Sequence, residues 1–119
     1  MSVGDLDHVY YWTADMDRAV AFYRDVVGLT LSRRDGTDWA EFQAGDGRFA
    51  LHGAVEGHPV RPGGGTAVFR VEDLDEARRG LEAKGVVFHD HVGEVAGYAR
   101  FASFPDPDGN TVQLIEYAR

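Results

Sequence analysis

Polar and apolar positions at the start of the chain follow the two-residue period of a β-strand. Between residues 6 and 13, β-branched and aromatic residues crowd together, which is typical of a strand. Alternation along this segment places His8, Tyr10 and Trp12 on one face. The pattern therefore predicts that one side of the first strand carries an imidazole and two large aromatic rings.

A helical period follows this strand. Apolar residues recur at helical spacing up to residue 27, where Gly28 can end the helix in a left-handed conformation. Asp15 or Asp17 is the predicted N-terminal cap. Three short strands are predicted next, at residues 30–33, 39–44 and 48–52. Residues 1–53 are thus predicted to form a βαβββ module.

The same order of elements recurs in the second half of the chain. Residues 8–19 and 66–77 match in character, 58 positions apart, and each copy carries an Asp-x-Asp turn before its helix. Residues 54–65 contain two prolines and three consecutive glycines, which predicts a linker. The elements predicted in the second module, residues 66–119, are a strand at 66–71, a helix at 74–84 and strands at 86–91, 98–104 and 111–117.

Two such modules predict one α+β domain over residues 1–119, with the sheets curled into a cupped, barrel-like mixed sheet around a shared cavity. The net charge of −8 disfavours nucleic acid and anionic membranes as partners. No apolar run approaches the roughly 20 residues of a membrane span. The chain has no cysteine, so thiolate metal sites and thiol nucleophiles are excluded and a reducing, cytoplasmic location is expected.

Four stretches of the sequence resemble those of a known family: Leu6-Asp7-His8-Val9, residues 17–29, residues 69–75 and residues 104–116. The family is the vicinal oxygen chelate superfamily, which includes glyoxalase I, bleomycin resistance proteins, fosfomycin resistance enzymes and extradiol dioxygenases. The resemblance implies paired βαβββ modules in a cupped sheet, often as a homodimer, with a small-molecule ligand and a metal ion inside the cup.

The resemblance also implies four metal-ligand positions, one on the first and one on the last strand of each module. His8 matches the first position, and imidazole suits a divalent ion such as Zn, Ni, Mn or Fe. The other three positions fall on Thr66, His52 and Gln113, where metal-dependent members often have histidine or glutamate. A set of His8, His52 and Gln113 carries no negative charge to offset the ion. His8 is equally well explained as a strand histidine that donates to a backbone carbonyl.

Aromatic residues on the predicted strands favour a pocket for a planar molecule. Arg100 is expected either to pair with an anionic group of the ligand or with a neighbouring carboxylate. Glu41 and Tyr98 are the candidate catalytic residues, as proton carriers. The residues expected to line the pocket are Tyr10, Trp12, Trp39, Tyr98, Arg100 and Phe101.

Two functions follow from these features. The first is a glyoxalase or bleomycin-resistance type of protein that binds a small, aromatic or planar molecule in the cup without chemistry. The second is a divalent-metal-dependent lyase, isomerase or dioxygenase, in which the ion acts as a Lewis acid. The missing carboxylates favour binding, whereas His8 and His52 favour the enzyme, so the sequence leaves open whether the protein is an enzyme.

Overall fold

The structure, a computed structural model, describes residues 4–57, 59–90 and 92–119. It consists of two compact units, Met1–Val60 and Arg61–Arg119. Each unit contains one four-stranded mixed sheet and one helical segment, in the order strand, helix and three strands. This confirms the predicted α+β class. Neither sheet closes on itself, because each has two edge strands. No helix in the described part of the chain is both long enough and apolar enough to cross a membrane.

The first unit has the sheet order β1-β4-β3-β2, in which β1 runs parallel to β4 and the other neighbours are antiparallel. Its helix α1 continues as a π-helical turn and a half before the chain enters β2. The elements are β1 (Val9–Thr13), α1 (Met16–Ala21) with its π-helical extension (Phe22–Val27), β2 (Thr30–Asp35), β3 (Trp39–Ala44) and β4 (Gly47–Gly53).

Both ends of this helical segment lie where the sequence predicts them. The Asp15 side chain accepts a hydrogen bond from the backbone N–H of Arg18 at 3.1 Å, which satisfies one free donor of the first turn. Gly28 has a φ of 92°, and its N–H donates to the Tyr23 carbonyl at 3.1 Å. The helix is therefore fixed at both ends by local contacts.

The core of the first unit lies between α1 and one face of the sheet. Tyr23 is fully buried, and its ring lies 4.6 Å from the Phe49 ring and 6.0 Å from the Phe42 ring. On β1, the side chain of Tyr11 points to the same side of the sheet as Phe49, and the two rings meet edge-on at 5.5 Å. One face of this sheet is thus occupied by the helix, which leaves the other face for binding.

The second unit repeats the topology, with the sheet order β5-β8-β7-β6 and β5 parallel to β8. Asp73 caps its helix by accepting from the backbone N–H of Glu76 at 3.0 Å, as Asp15 does in the first unit. The elements are β5 (Ala67–Arg70), α2 (Leu74–Ala83), β6 (Gly93–Val95), β7 (Ala99–Pro105) and β8 (Thr111–Tyr117).

The strand predicted at residues 86–91 is wrong. Val86 and Phe88 are buried, as the alternation requires, but residues 86–90 do not pair with another strand through a series of backbone hydrogen bonds. Residue 91 lies outside the described residues. One backbone hydrogen bond, from His89 N–H to the Ser103 carbonyl at 2.9 Å, joins this segment to β7. The neighbour of β7 is instead β6, and the ring of Phe101 lies where a Cβ of Gly93 would be.

A turn between β7 and β8 is built around a buried carboxylate. Asp106, which is 5% exposed, accepts from the backbone N–H groups of Asp108 and Asn110 and from the Asn110 side chain, at 2.8 to 3.0 Å. The Asn110 side-chain oxygen in turn accepts from the N–H of Gly63 at 3.3 Å. This hydrogen bond therefore links the turn to the glycine-rich segment that precedes β5.

Candidate functional site

Five rings gather on the face of the first sheet that points away from α1. Alternation places Tyr10 and Trp12 of β1 on this face together with His8, which directly precedes the strand, as the sequence predicts. Strand pairing adds two more rings, since Trp12 lies opposite His52 on β4 and His52 lies opposite Trp39 on β3. We call these five residues the aromatic face.

The rings of the aromatic face contact one another closely. The His52 ring lies 4.0 Å from the Trp12 ring at an angle of 34°, and the Trp39 ring meets it edge-on at 5.6 Å. Tyr10 lies 5.6 to 5.7 Å from His52 and Trp39, and His8 meets Trp39 edge-on at 5.5 Å. Tyr10 is 41% exposed, so part of this surface is accessible. Such a group of flat rings with a few polar atoms is the usual composition of a small-molecule site.

Each imidazole of the aromatic face is held through its Nδ1 atom. Nδ1 of His8 lies 2.7 Å from a carboxylate oxygen of Asp7, and Nδ1 of His52 lies 2.8 Å from the carbonyl oxygen of Gly53. The hydrogen bond from His8 and the charge of Arg48 lower the pKa of Asp7 below its ordinary value of 3.8. The two rings are thus oriented by neighbouring oxygen atoms.

Glu41 lies on the same face but is already engaged. Its carboxylate accepts from the indole N–H of Trp39 at 2.8 Å and lies 3.7 Å from both Arg33 and Arg48. The hydrogen bond from the indole orients the Trp39 ring, and the two guanidinium groups hold the carboxylate in place. As a proton carrier, Glu41 stays a prediction.

The other residues expected to line the pocket belong to the second unit. Tyr98 lies in the turn before β7, is 58% exposed and contacts Tyr117 edge-on at 5.5 Å. Phe101 is half-buried on β7 opposite Ile115, so it shares a sheet face with Gln113. Arg100 pairs with Asp75 of α2 at 3.0 Å, which corresponds to the alternative of a neighbouring carboxylate.

Glu116 lies on the side of the second sheet that carries α2. Its carboxylate accepts from the backbone N–H of Leu74 at 2.7 Å, at the start of α2. Gln113, three residues earlier on β8, points to the other side, as strand alternation requires. Glu116 therefore does not replace the carboxylate that the sequence lacks at position 113.

The pair formed by Arg100 and Asp75 makes a pH dependence of stability testable. The hydrogen bond and charge of Arg100 hold the pKa of Asp75 below its ordinary value of 3.8. A carboxyl with a lowered pKa in the folded state stabilises the fold above its unfolded pKa, and this contribution is lost as the pH falls through the folded value. The thermal midpoint of unfolding should fall as the pH is lowered from about 5 to about 2, and Asp75→Asn is expected to make this fall smaller.

Thermal unfolding followed by circular dichroism at several pH values measures this decline. Arg100→Gln removes the same hydrogen bond from the other side, so it should flatten the curve in the same way. Equal slopes for the original protein and both variants would contradict the assignment.

The ion pairs around the aromatic face are what sequence reasoning missed. Arg48 pairs with Asp7 at 2.6 Å, and Arg33 pairs with Asp35 at 2.6 Å. Both arginines also flank Glu41. Asp7 and Arg48 are 41 positions apart, so their ion pair can be identified only when the pairing of β1 with β4 is known.

The sequence from residue 5 to residue 114 matches the family model described as the Glyoxalase/Bleomycin resistance protein/Dioxygenase superfamily. The chain belongs to this superfamily. It is 27% identical to lactoylglutathione lyase GLX1 of Arabidopsis thaliana over 124 residues, which cover 92% of the chain and 43% of the plant protein. The chain thus spans less than half the length of that relative.

Solved structures of other proteins have the same fold. Lactoylglutathione lyase from Agrobacterium tumefaciens matches with a TM-score of 0.79 at 24% identity, over 97% of this chain and 95% of that chain. A protein from the mobile metagenome of V. pseudocholerae matches with a TM-score of 0.79 at 27% identity, over 100% of this chain and 98% of that chain. At this level of identity the likeness supports the fold.

Superfamily members typically use a divalent metal ion. No group of three His, Cys, Asp or Glu side chains that could hold an ion occurs among residues 4–57, 59–90 and 92–119. His8 and His52 lie on the aromatic face, whereas Thr66 and Gln113 belong to the second unit. Catalytic zinc sites commonly use three protein ligands. Two imidazoles of the first unit do not make up such a set.

Proposed function

We propose that the protein binds a small planar aromatic molecule against the aromatic face of its first unit. The observation that carries this proposal is the convergence of four rings from three strands with the ring of His8, which precedes β1, the centroids of contacting rings lying 4.0 to 6.0 Å apart. Flat rings gain both apolar burial and favourable ring–ring geometry from such a surface. Membership of a superfamily that includes bleomycin resistance proteins supports the proposal.

The two tryptophans of the chain, Trp12 and Trp39, both lie on the aromatic face, which gives a site-specific measurement. We expect titration of ¹⁵N-labelled protein with a planar bicyclic compound, 2-methoxynaphthalene, to shift both indole N–H signals. Trp12→Leu and Trp39→Leu are each expected to weaken binding about tenfold, since each removes a stacking surface. Tyr117→Leu removes an exposed ring of the second unit and serves as the matched control.

Two outcomes would contradict the proposal. One is a titration in which neither indole signal moves at millimolar compound. The other is binding that Tyr117→Leu weakens as much as the tryptophan variants do. The second outcome would place the binding site on the surface of the second unit, where Tyr98 and Phe101 lie.

The second candidate is a divalent-metal-dependent lyase, isomerase or dioxygenase. It is favoured by the two imidazoles on one face and by the similarity to a protein named lactoylglutathione lyase. Elemental analysis after exposure to Zn, Ni, Mn and Fe tests it. One ion per chain, lost in His8→Ala protein that remains folded, would favour the enzyme, and substoichiometric metal would favour binding alone. A homodimer and a cytoplasmic location stay predictions.

A further inference from the structure

The hydrogen bonds of the two imidazoles determine which ring nitrogen carries the hydrogen. A carbonyl oxygen has no hydrogen to give, so the 2.8 Å contact with Gly53 requires that Nδ1 of His52 donates. The carboxylate of Asp7 likewise accepts from Nδ1 of His8 at 2.7 Å. In a neutral imidazole whose Nδ1 carries the hydrogen, Nε2 presents a lone pair. In the neutral form of each ring, both histidines therefore offer an acceptor at Nε2.

These two acceptors have no hydrogen-bond partner within the part of the chain that the structure describes. The recorded hydrogen bonds of His8 and His52 both go through Nδ1. Both rings are half-buried, with the His8 side chain 30% exposed, and both contact Tyr10 and Trp39. A ring stacked on the aromatic face would thus meet hydrogen-bond acceptors at its edge.

Charge around the aromatic face disfavours an anionic ligand. Ion pairs connect the side chains in one series, from the Asp7 carboxylate through a guanidinium to the Glu41 carboxylate, and through a second guanidinium to Asp35. Three carboxylates and two guanidiniums leave a net negative charge in this series, and each guanidinium already faces two carboxylates. An anionic ligand would compete with these carboxylates for the two arginines.

We propose that the ligand is an uncharged or cationic planar ring that bears a hydroxyl or amino group and donates its hydrogen to Nε2 of His8 or His52. This inference rests on the proposed function and specifies the chemical class of the ligand. Two features of the aromatic face determine this selectivity for the ligand. The acceptors favour a donor at the ring edge, and the surplus carboxylate disfavours a carboxylate or phosphate on the ligand.

Three matched probes test this selectivity with the unmodified protein. 2-Naphthol has a donor, 2-methoxynaphthalene has the same ring without a donor, and 2-naphthoate has a negative charge. We expect 2-naphthol to bind about fivefold more tightly than 2-methoxynaphthalene, the effect of one neutral hydrogen bond. 2-Naphthoate should bind more weakly than either. The titrations are followed by the two indole signals, with and without EDTA, so that a metal ion that bridges ligand and imidazole is detected.

Variants assign the preference to the histidines. His8→Phe and His52→Phe keep a flat ring and remove the acceptor, so each should reduce the preference for 2-naphthol, and the double variant should abolish it. His89→Phe is the matched control, because His89 lies in the second unit and bonds to Ser103. The probe comparison on the original protein does not depend on whether a variant folds.

The outcomes separate this inference from the proposed function. Equal affinity for 2-naphthol and 2-methoxynaphthalene, with both indole signals shifted, would overturn the inference and leave the proposed function standing. A preference that persists in the double variant, that disappears in EDTA, or that favours 2-naphthoate would also overturn it. Shifts with none of the three probes would overturn both.

Discussion

Gly53→Ala is expected to lower the free energy of unfolding by about 3 kcal/mol, as overpacking against rigid backbone does. A Cβ at Gly53 would overlap the carbonyl oxygen of Thr37 in the turn between β2 and β3. The same turn accepts the Gly53 N–H at the carbonyl of Asp38, at 2.9 Å. Because both contacts are made by backbone, the turn cannot make room by a change of rotamer. Trp39 follows this turn directly, so binding at the aromatic face should also weaken.

Urea unfolding followed by circular dichroism measures the loss of stability. Gly47→Ala is the matched control at the other end of β4, where the nearest backbone atom, the carbonyl oxygen of Ala44, lies 3.4 Å from a new Cβ. This variant should change the free energy of unfolding by less than about 1 kcal/mol. If the Gly53→Ala variant is as stable as the Gly47→Ala variant, the turn between β2 and β3 does not approach β4 as closely as described.

Phe42→Ala is expected to lower the free energy of unfolding by about 4 kcal/mol, the usual cost of removing a buried aromatic side chain and leaving a cavity. Phe42 is fully buried on β3, opposite Phe49, and its ring lies 6.0 Å from that of Tyr23 in the helical segment. These three rings join the helix to the central strands of the sheet. Their loss should loosen the packing that holds the strands beneath the aromatic face.

The control for this cavity is the next residue on the same strand. Gln43 is exposed, and its side chain donates to the Gly45 carbonyl at 2.7 Å. Gln43→Ala should lower the free energy of unfolding by less than about 1 kcal/mol in the same urea experiment. A similar loss for the two variants would show that the Phe42 ring is not part of a tightly packed core.

Local features of the sequence predicted the helices and the first strand well. An N-cap aspartate bonds to a backbone N–H three residues ahead, and a glycine at the helix end needs only its own φ, so both signals depend on neighbours in sequence. Asp15, Asp73 and Gly28 all lie where these rules place them. Alternation on β1 is equally local, and the shared face of Tyr10 and Trp12 follows from it.

Positions that depend on distant partners were predicted less well. The apolar alternation at Val86 and Phe88 is real, but the strand that pairs with β7 is β6, because a strand also needs a partner for its backbone groups. Tyr98 lies in a turn rather than on a strand. The choice between a ligand and Asp75 as the partner of Arg100 required the position of α2 relative to β7.

The sequence by itself determined the βαβββ order, the helix ends and the side of β1 that carries the rings, because each depends on contacts within a few residues. Only the tertiary structure brought His52 and Trp39 to the face that carries Trp12, since the register joins Trp12 to His52, 40 positions apart, and His52 to Trp39, 13 positions apart. It also surrounded Glu41 with two arginines. Strand pairing therefore decided the chemistry of the aromatic face, because residue types specify the strands and only the pairing register brings their side chains together.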